Sequence, residues 1–345
     1  MMKRLLSLFL MICMMSAFAY AEGFTYSQQS VTDSAKTMSR YDAFYDSGEM
    51  SHLIPGLKEH FVPQGVSYLP EKNWFIFSGY SGMSDNSPIL AVDAESGLLV
   101  KEVMLKNVDG SVYAGHAGGV AVTEKNIFIA NGGYLFRISL EKLLSLPESS
   151  YCAFDEMIPV PSRASYCSYA DGILWVGEFQ YSGYPTDESH YIQTEDGEHK
   201  AWIIGYELDE TQESEIKESA RRAELTIPDY ILTTTNRIQG MTIKEDMIYL
   251  SQSYGRKNAS TMLRYRSPLE QEPFGYAELS GVQVPIWTLT SSNLESKLTM
   301  PPASENLVVV DGAVYVLFET AASIYMMGGN RSSNPIDRLF RMTGF

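Results

Sequence analysis

Residues 113–140, YAGHAGGVAVTEKNIFIANGGYLFRISL, hold a polar start at His116, a small-residue strand over 117–122 and a Thr-Glu-Lys-Asn turn. A second strand over 127–130, a glycine break and a third strand over 134–140 follow. The pattern recurs four more times. Gln64-Gly65-Val66-Ser67-Tyr68 turns through residues 70–73 into Trp74-Phe75-Ile76-Phe77, and residues 165–169 turn at Asp171-Gly172 into Ile173-Leu174-Trp175-Val176. Gln239-Gly240-Met241-Thr242-Ile243 leads into Met247-Ile248-Tyr249-Leu250, and residues 305–310 turn at Asp311-Gly312 into Val314-Tyr315-Val316-Leu317.

The starts at 64, 116, 165, 239 and 305 stand 52, 49, 74 and 66 residues apart. Radial repeats of about four strands and roughly 40–50 residues show such spacing, stretched where loops are inserted. A small antiparallel sheet cannot bury both faces alone, so neighbouring sheets must pack face to face. The chain therefore reads as an all-β protein, a β-propeller of five blades.

Segments at 57–62, 101–105, 157–160, 230–234 and 297–300 precede the five starts and are expected to be the outermost strands. The last unit supplies two strands and a third at 338–342, then ends without an outer one, while 57–62 is spare. The N-terminal strand is thus expected to close the ring and leave no open edge. Residues 1–21 carry Lys3 and Arg4, an apolar run over 5–18 and an Ala19-Tyr20-Ala21 cleavage pattern. That run is shorter than the ~20 residues needed to span a bilayer. We expect a signal peptide cleaved after Ala21, a polar leader over 22–56 and a single propeller domain over 57–345, in a secreted or periplasmic protein without stable membrane insertion. Ile12 is too large for a lipoprotein box, which disfavours anchoring at Cys13.

If each innermost strand starts at one end and the next returns to it, the starts and the second-strand exits share a face. The starts offer Gln64, His116, Arg163, Ser165, Arg237, Gln239 and Glu305; the exits offer Ser78, Tyr80, Asn131, Glu178, Ser253, Tyr254, Arg256 and Glu319. Small residues at Gly65, Gly119, Cys167 and Gly240 would let the strands crowd a narrow axis. Glu178, Glu305 and Glu319 follow or begin apolar runs, where a carboxylate is costly unless paired. They are expected either as an acid–base cluster, with Glu305 and Glu319 able to hold Ca²⁺, or as partners of Arg237, Arg256 or Arg163 that fix the blades in register. His116 is a candidate general base or a hydrogen-bonded structural histidine; the other four histidines lie in polar or terminal stretches. Residues 181–200 are expected to form a lid over this face, and the Glu-rich 209–222 a short solvated helix. The 22 tyrosines supply several rings on this face, suited to stacking on sugars or peptides or simply to filling sheets.

Loss of Lys3 and Arg4 takes the net charge from −16 to −18. That argues against nucleic acid or anionic lipid as partner and for solubility or a cationic ligand, and we expect a monomer. Cys152 and Cys167 remain after cleavage; strand placement sets them apart, so two unpaired thiols are expected. No phosphate loop, HExxH, paired CxxC or G-x-S-x-G elbow is present.

Over residues 57–342 the repeat resembles that of secreted bacterial β-propellers, without a WD or kelch signature. Among five-bladed propellers the resemblance implies carboxylate glycosidases, calcium-dependent nucleotidases or sugar-binding lectins. Those glycosidases mainly use Asp at two of three positions where this chain has Glu, so no residue role is carried over. Two readings stand. The first is a binding protein holding a small molecule, glycan or peptide through Gln64, Tyr80, Asn131, Arg237, Gln239, Tyr254 and Arg256. The alternative is a carboxylate-based or calcium-assisted hydrolase using Glu178, Glu305, Glu319 and His116.

Overall fold

The computed structural model describes residues 24–32, 38–82, 86–327 and 331–345; the expected signal peptide, with Cys13, lies outside the described residues. The chain is all-β, with a few short helical turns. The first sheet runs Phe61–Leu69, Trp74–Ser81, Pro88–Asp93 and Leu99–Lys106, all antiparallel. Ser149–Ala153 then adds to it in parallel. Next, Gly119–Val122 pairs with Asn126–Ser139, whose second half, beyond Gly132, pairs with Glu156–Ala170.

Glu156–Ala170 also begins the following set, pairing with Ile173–Glu178, which is followed by Ala201–Glu207 and Tyr230–Thr234. The expected outer strand at 157–160 and inner strand at 165–169 are therefore one continuous element. Its burial alternates along almost its whole length, and no glycine breaks it. Residues 268–283 contribute to a hairpin of Gly275–Leu279 and Val282–Thr288 that joins Tyr230–Thr234 in parallel. Ile238–Lys244, Met247–Gln252, Ser260–Arg266 and Leu294–Met300 form a separate sheet.

The last sheet runs Ser304–Val310, Ala313–Phe318, Arg338–Met342 and then Gly48–Leu53, with Gly48 opposite Met342. An N-terminal strand does pair there, but it is not 57–62. Gly48–Leu53 buries none of its six positions fully, so it carries no apolar pattern to read, whereas Phe61 and Val62 open the first strand of the first sheet. The leader before it is also tied down. Phe44, on the short helix Asp42–Asp46, stacks 3.9 Å from Phe340. Thr25 and Tyr26 donate backbone N–H groups to the Glu102 carboxylate, and Val31 donates to Asp337, so residues 24–32 reach from the first sheet to the last.

The segment 209–222 is no solvated helix. Glu215 is fully buried against Thr123 and Asn126, and Ile216 joins the core. Cys152 lies on Ser149–Ala153 rather than in a loop, Cys167 on Glu156–Ala170, and both are free and buried.

The first strands pack in sequence: Phe61–Leu69 against Gly119–Val122, that against Glu156–Ala170, that against Ile238–Lys244, that against Ser304–Val310, and this last against Phe61–Leu69. Two glycines show how close they come. A Cβ on Gly119 would stand 2.4 Å from the Cys167 nitrogen, and one on Gly240 2.4 Å from the Asn306 Cα, so any larger side chain forces the strands apart. Asn306 Nδ2 donates to the Cys167 carbonyl at 3.0 Å, joining two of these strands directly.

Candidate functional site

The same irregularity recurs where the first strands begin. Pairing skips from Pro63 to Gly65, from Ile238 to Gly240 and from Ser304 to Leu307, leaving Gln64, Gln239 and the Glu305-Asn306 pair without cross-strand partners. A fourth skip opposite Gly177 and Glu178 leaves Ser165 out. An extra residue in one strand turns its side chain out of the ordinary alternation. That is how polar side chains reach the crowded interior end of strands that are otherwise apolar. The backbone just before four of these strands is left-handed, at His60 (φ 64), Ala117 (φ 47), Arg237 (φ 66) and Ala303 (φ 52), so a shared turn sets the approach.

These bulges bring Glu305 and Glu319 together. Glu305 is 2% exposed and accepts from Gln239 Nε2 at 3.1 Å, while Glu319, partly exposed at the end of Ala313–Phe318, accepts from Gln64 Nε2 at 2.8 Å. Burial first, then the Glu319 charge, push the Glu305 carboxyl well above the usual range, against the Gln239 hydrogen bond. Burial raises Glu319 to about 7; the Gln64 hydrogen bond, the Arg256 charge and a Tyr325 hydrogen bond hold it down. Burial and mutual repulsion thus favour the protonated form of the pair.

Around the pair stands a polar and aromatic wall. The Tyr325 hydroxyl hydrogen-bonds that of Tyr80, whose own pKa rises to about 12 through burial and the Glu319 charge. Arg256 lies 3.5 Å over the Tyr325 ring, and His116 packs 4.4 Å from the Tyr80 ring. The His116 imidazole has an edge in water, yet the surrounding protein desolvates it enough to lower its pKa, which favours the neutral ring. Its backbone N–H donates to Asn131 Oδ1 at 3.2 Å. Arg237 lies over the Tyr254 ring at 4.6 Å, and Tyr254 packs 5.0 Å from Tyr181.

Glu178 is spent elsewhere. Fully buried, it accepts from His190 Nδ1 at 3.0 Å, from the Arg163 N–H at 2.8 Å and from the Trp202 N–H at 2.9 Å. His190, placed by sequence in a merely polar stretch, is buried and stacked 3.8 Å from Trp202. The expected arginine relief is also redistributed: Arg256, not Arg237, acts on Glu319, and Arg163 sits 3.3 Å over Tyr184. The 181–200 segment carries a small hairpin, Ile192–Thr194 with Gly197–His199. Glu195 and Asp196 fasten it to Thr290 and Ser291, so its far end is anchored to a neighbouring loop.

Tyr325 is the member that sequence reasoning passed over. It lies six residues beyond Glu319, in a loop already assigned to this face, and that placement was the available signal. Among the described residues no three His, Cys, Asp or Glu groups converge as a metal site would. Gln64, Gln239 and Tyr325 present hydrogen-bond donors to the carboxyl pair and Arg256 brings a positive charge.

No family model matches the chain and no curated protein matches its sequence. Among solved structures it is similar to a glutaminyl cyclase from Myxococcus xanthus, at 11% identity and a TM-score of 0.42, over 85% of this chain and 92% of that one. It is also similar to the GH43_1 enzyme from Xanthomonas citri, at 9% identity and a TM-score of 0.44, over 88% of this chain and 92% of that one. Likeness at this level carries no argument about what the chain does.

Proposed function

We propose that the chain is a five-bladed β-propeller, closed by Gly48–Leu53, which binds a small molecule, glycan or peptide where the first strands begin. The observation that supports this most is the Glu305–Glu319 pair, raised in pKa by burial, with a glutamine on each carboxyl and Tyr80, Tyr325, Arg256 and His116 alongside. A merely structural ion pair would place an arginine on each carboxylate. Here neutral donors and hydroxyls leave hydrogen-bonding capacity that a polar ligand can take up. We further propose that the protein acts outside the cytoplasm as a monomer after cleavage following Ala21, and that proton sharing and Arg256, rather than calcium, relieve the carboxyl pair.

The test is retention. Native mass spectrometry of the secreted or periplasmic protein should show an adduct that Glu305→Gln and Glu319→Gln lose; an adduct of equal abundance in the variants would place binding elsewhere. One observation favours a second reading, hydrolysis: a carboxyl near pKa 7 is suited to give or take a proton at neutral pH. Hydrolysis of an aryl glycoside or peptide that disappears in Glu319→Gln would select it.

A further inference from the structure

The chain carries 42 acidic residues against 26 basic ones. Carboxylates are therefore plentiful, and Arg137, Arg221, Arg266, Arg338 and Arg341 each stand within 4.0 Å of one. Among the described residues no carboxylate comes that close to Arg163, Arg237 or Arg256, nor to Arg40, Arg222, Arg264 or Arg331. Arg163, Arg237 and Arg256 each hold the guanidinium carbon over a tyrosine ring instead, at 3.3 Å over Tyr184, 4.6 Å over Tyr254 and 3.5 Å over Tyr325, as Arg40 does over Tyr41. Stacking holds a guanidinium plane in place while leaving its edge of N–H donors unused, the form in which arginine takes an oxyanion in a bidentate fashion. Arg163 already spends one nitrogen on the Pro185 carbonyl, at 2.7 Å. Among the described residues no hydrogen bond engages the Arg237 or Arg256 guanidinium.

The two flank the site by construction. Arg237 precedes the strand that carries Gln239, and Arg256 follows Tyr254 in the loop leaving Met247–Gln252. The Arg237 N–H donates to the carbonyl of Gln180 at 3.1 Å; Gln180 is 5% exposed, and its side-chain oxygen has no partner among the described residues. Burial favours the neutral forms of both carboxyls and of His116, which lessens the negative charge at this face although the protein as a whole is acidic.

We propose that the ligand of this site carries an oxyanion, a carboxylate or a phosphate, which Arg256 and Arg237 receive while Glu319 and the Tyr80–Tyr325 pair meet its hydroxyl or amide groups. This reverses the cationic ligand expected from net charge, and it rests on the reading of this face as the ligand site.

The experiment compares matched probes by NMR of the isotope-labelled protein, following the arginine Nε–H signals and the backbone signals of Tyr80, His116 and Tyr325. Galacturonate is set against galactose and glucose 6-phosphate against glucose, at millimolar concentration and constant ionic strength. The proposal expects one charged member, either acid or phosphate, to shift Arg256 and Arg237 and to bind at least about tenfold more tightly than its neutral partner. Arg256→Ala should remove that preference, and Arg256→Lys, which keeps the charge and the chain, should remove most of it. Equal binding of charged and neutral members at this face would overturn the anion proposal and leave the ligand site standing. Shifts confined to other surfaces, or none with any probe, would overturn the proposal, and the first of these would remove the site reading as well.

Discussion

Glu319→Gln isolates the energetic cost of the carboxyl pair. In the unfolded chain Glu319 releases its proton near 4.5; in the folded protein it holds it to about 7. Between those values folding takes up a proton, so stability falls as pH rises, and outside the window this contribution is flat. The difference corresponds to roughly 3 kcal/mol at 1.36 kcal/mol per pH unit, an upper figure because Glu305 shares the titration. Glu319→Gln keeps the shape and can still accept from Gln64, but it has nothing to titrate. Urea unfolding followed by tryptophan fluorescence, at half-unit steps from pH 4 to 8.5, should show the wild type losing stability relative to the variant from about 4.5 to 7. The two should be alike at the acidic end. The double variant Glu305→Gln, Glu319→Gln should be flatter still across that window. Wild-type and Glu319→Gln curves that run parallel throughout would mean that the pair neither shares a proton nor carries the burial cost argued here.

Further outcomes follow from other parts of the fold. Phe44→Ala should cost about 3–5 kcal/mol, because the ring stacks on Phe340 and is fully buried; deletion of residues 22–46 should therefore be severe by thermal unfolding, not mild. Glu178→Gln should cost about 1–3 kcal/mol, since an amide nitrogen would face the Arg163 or Trp202 N–H, yet calorimetric ligand binding should be retained. Added Ca²⁺ or a chelator should leave the melting temperature unchanged, whereas a calcium-dependent rise lost in Glu305→Gln would restore the metal reading. Thiol titration should find Cys152 and Cys167 only after unfolding, without reductant, and peptide mapping should find no link between them.

The starts at Gln64, Gln239 and Glu305 were legible because each breaks an apolar strand with a polar residue at the same point of a repeat, and the bulges give that break its geometry. Strand direction placed Glu319, Tyr80 and Arg256 on the same face for the same reason. The fate of Glu178 was not legible: His190 returns to it from a loop twelve residues on, and no periodicity reports how a loop folds back. Which arginine would serve Glu319 was equally hidden, because Arg237 and Arg256 differ in the ring each lies on, a matter of side-chain direction. The N-terminal strand of the last sheet escaped because Gly48–Leu53 is half-exposed along its length and so lacks the alternation by which strands are found.

The central claim is that the carboxyl pair and its aromatic wall receive the ligand. A crystal structure of the protein as isolated from its native compartment, near pH 6, tests it most directly. Density should bridge Glu319, Tyr80 and Arg256, with Gln64 and Gln239 still on their carboxyls. A ligand seated on another surface, or Glu305 and Glu319 turned apart with each on an arginine, would contradict it.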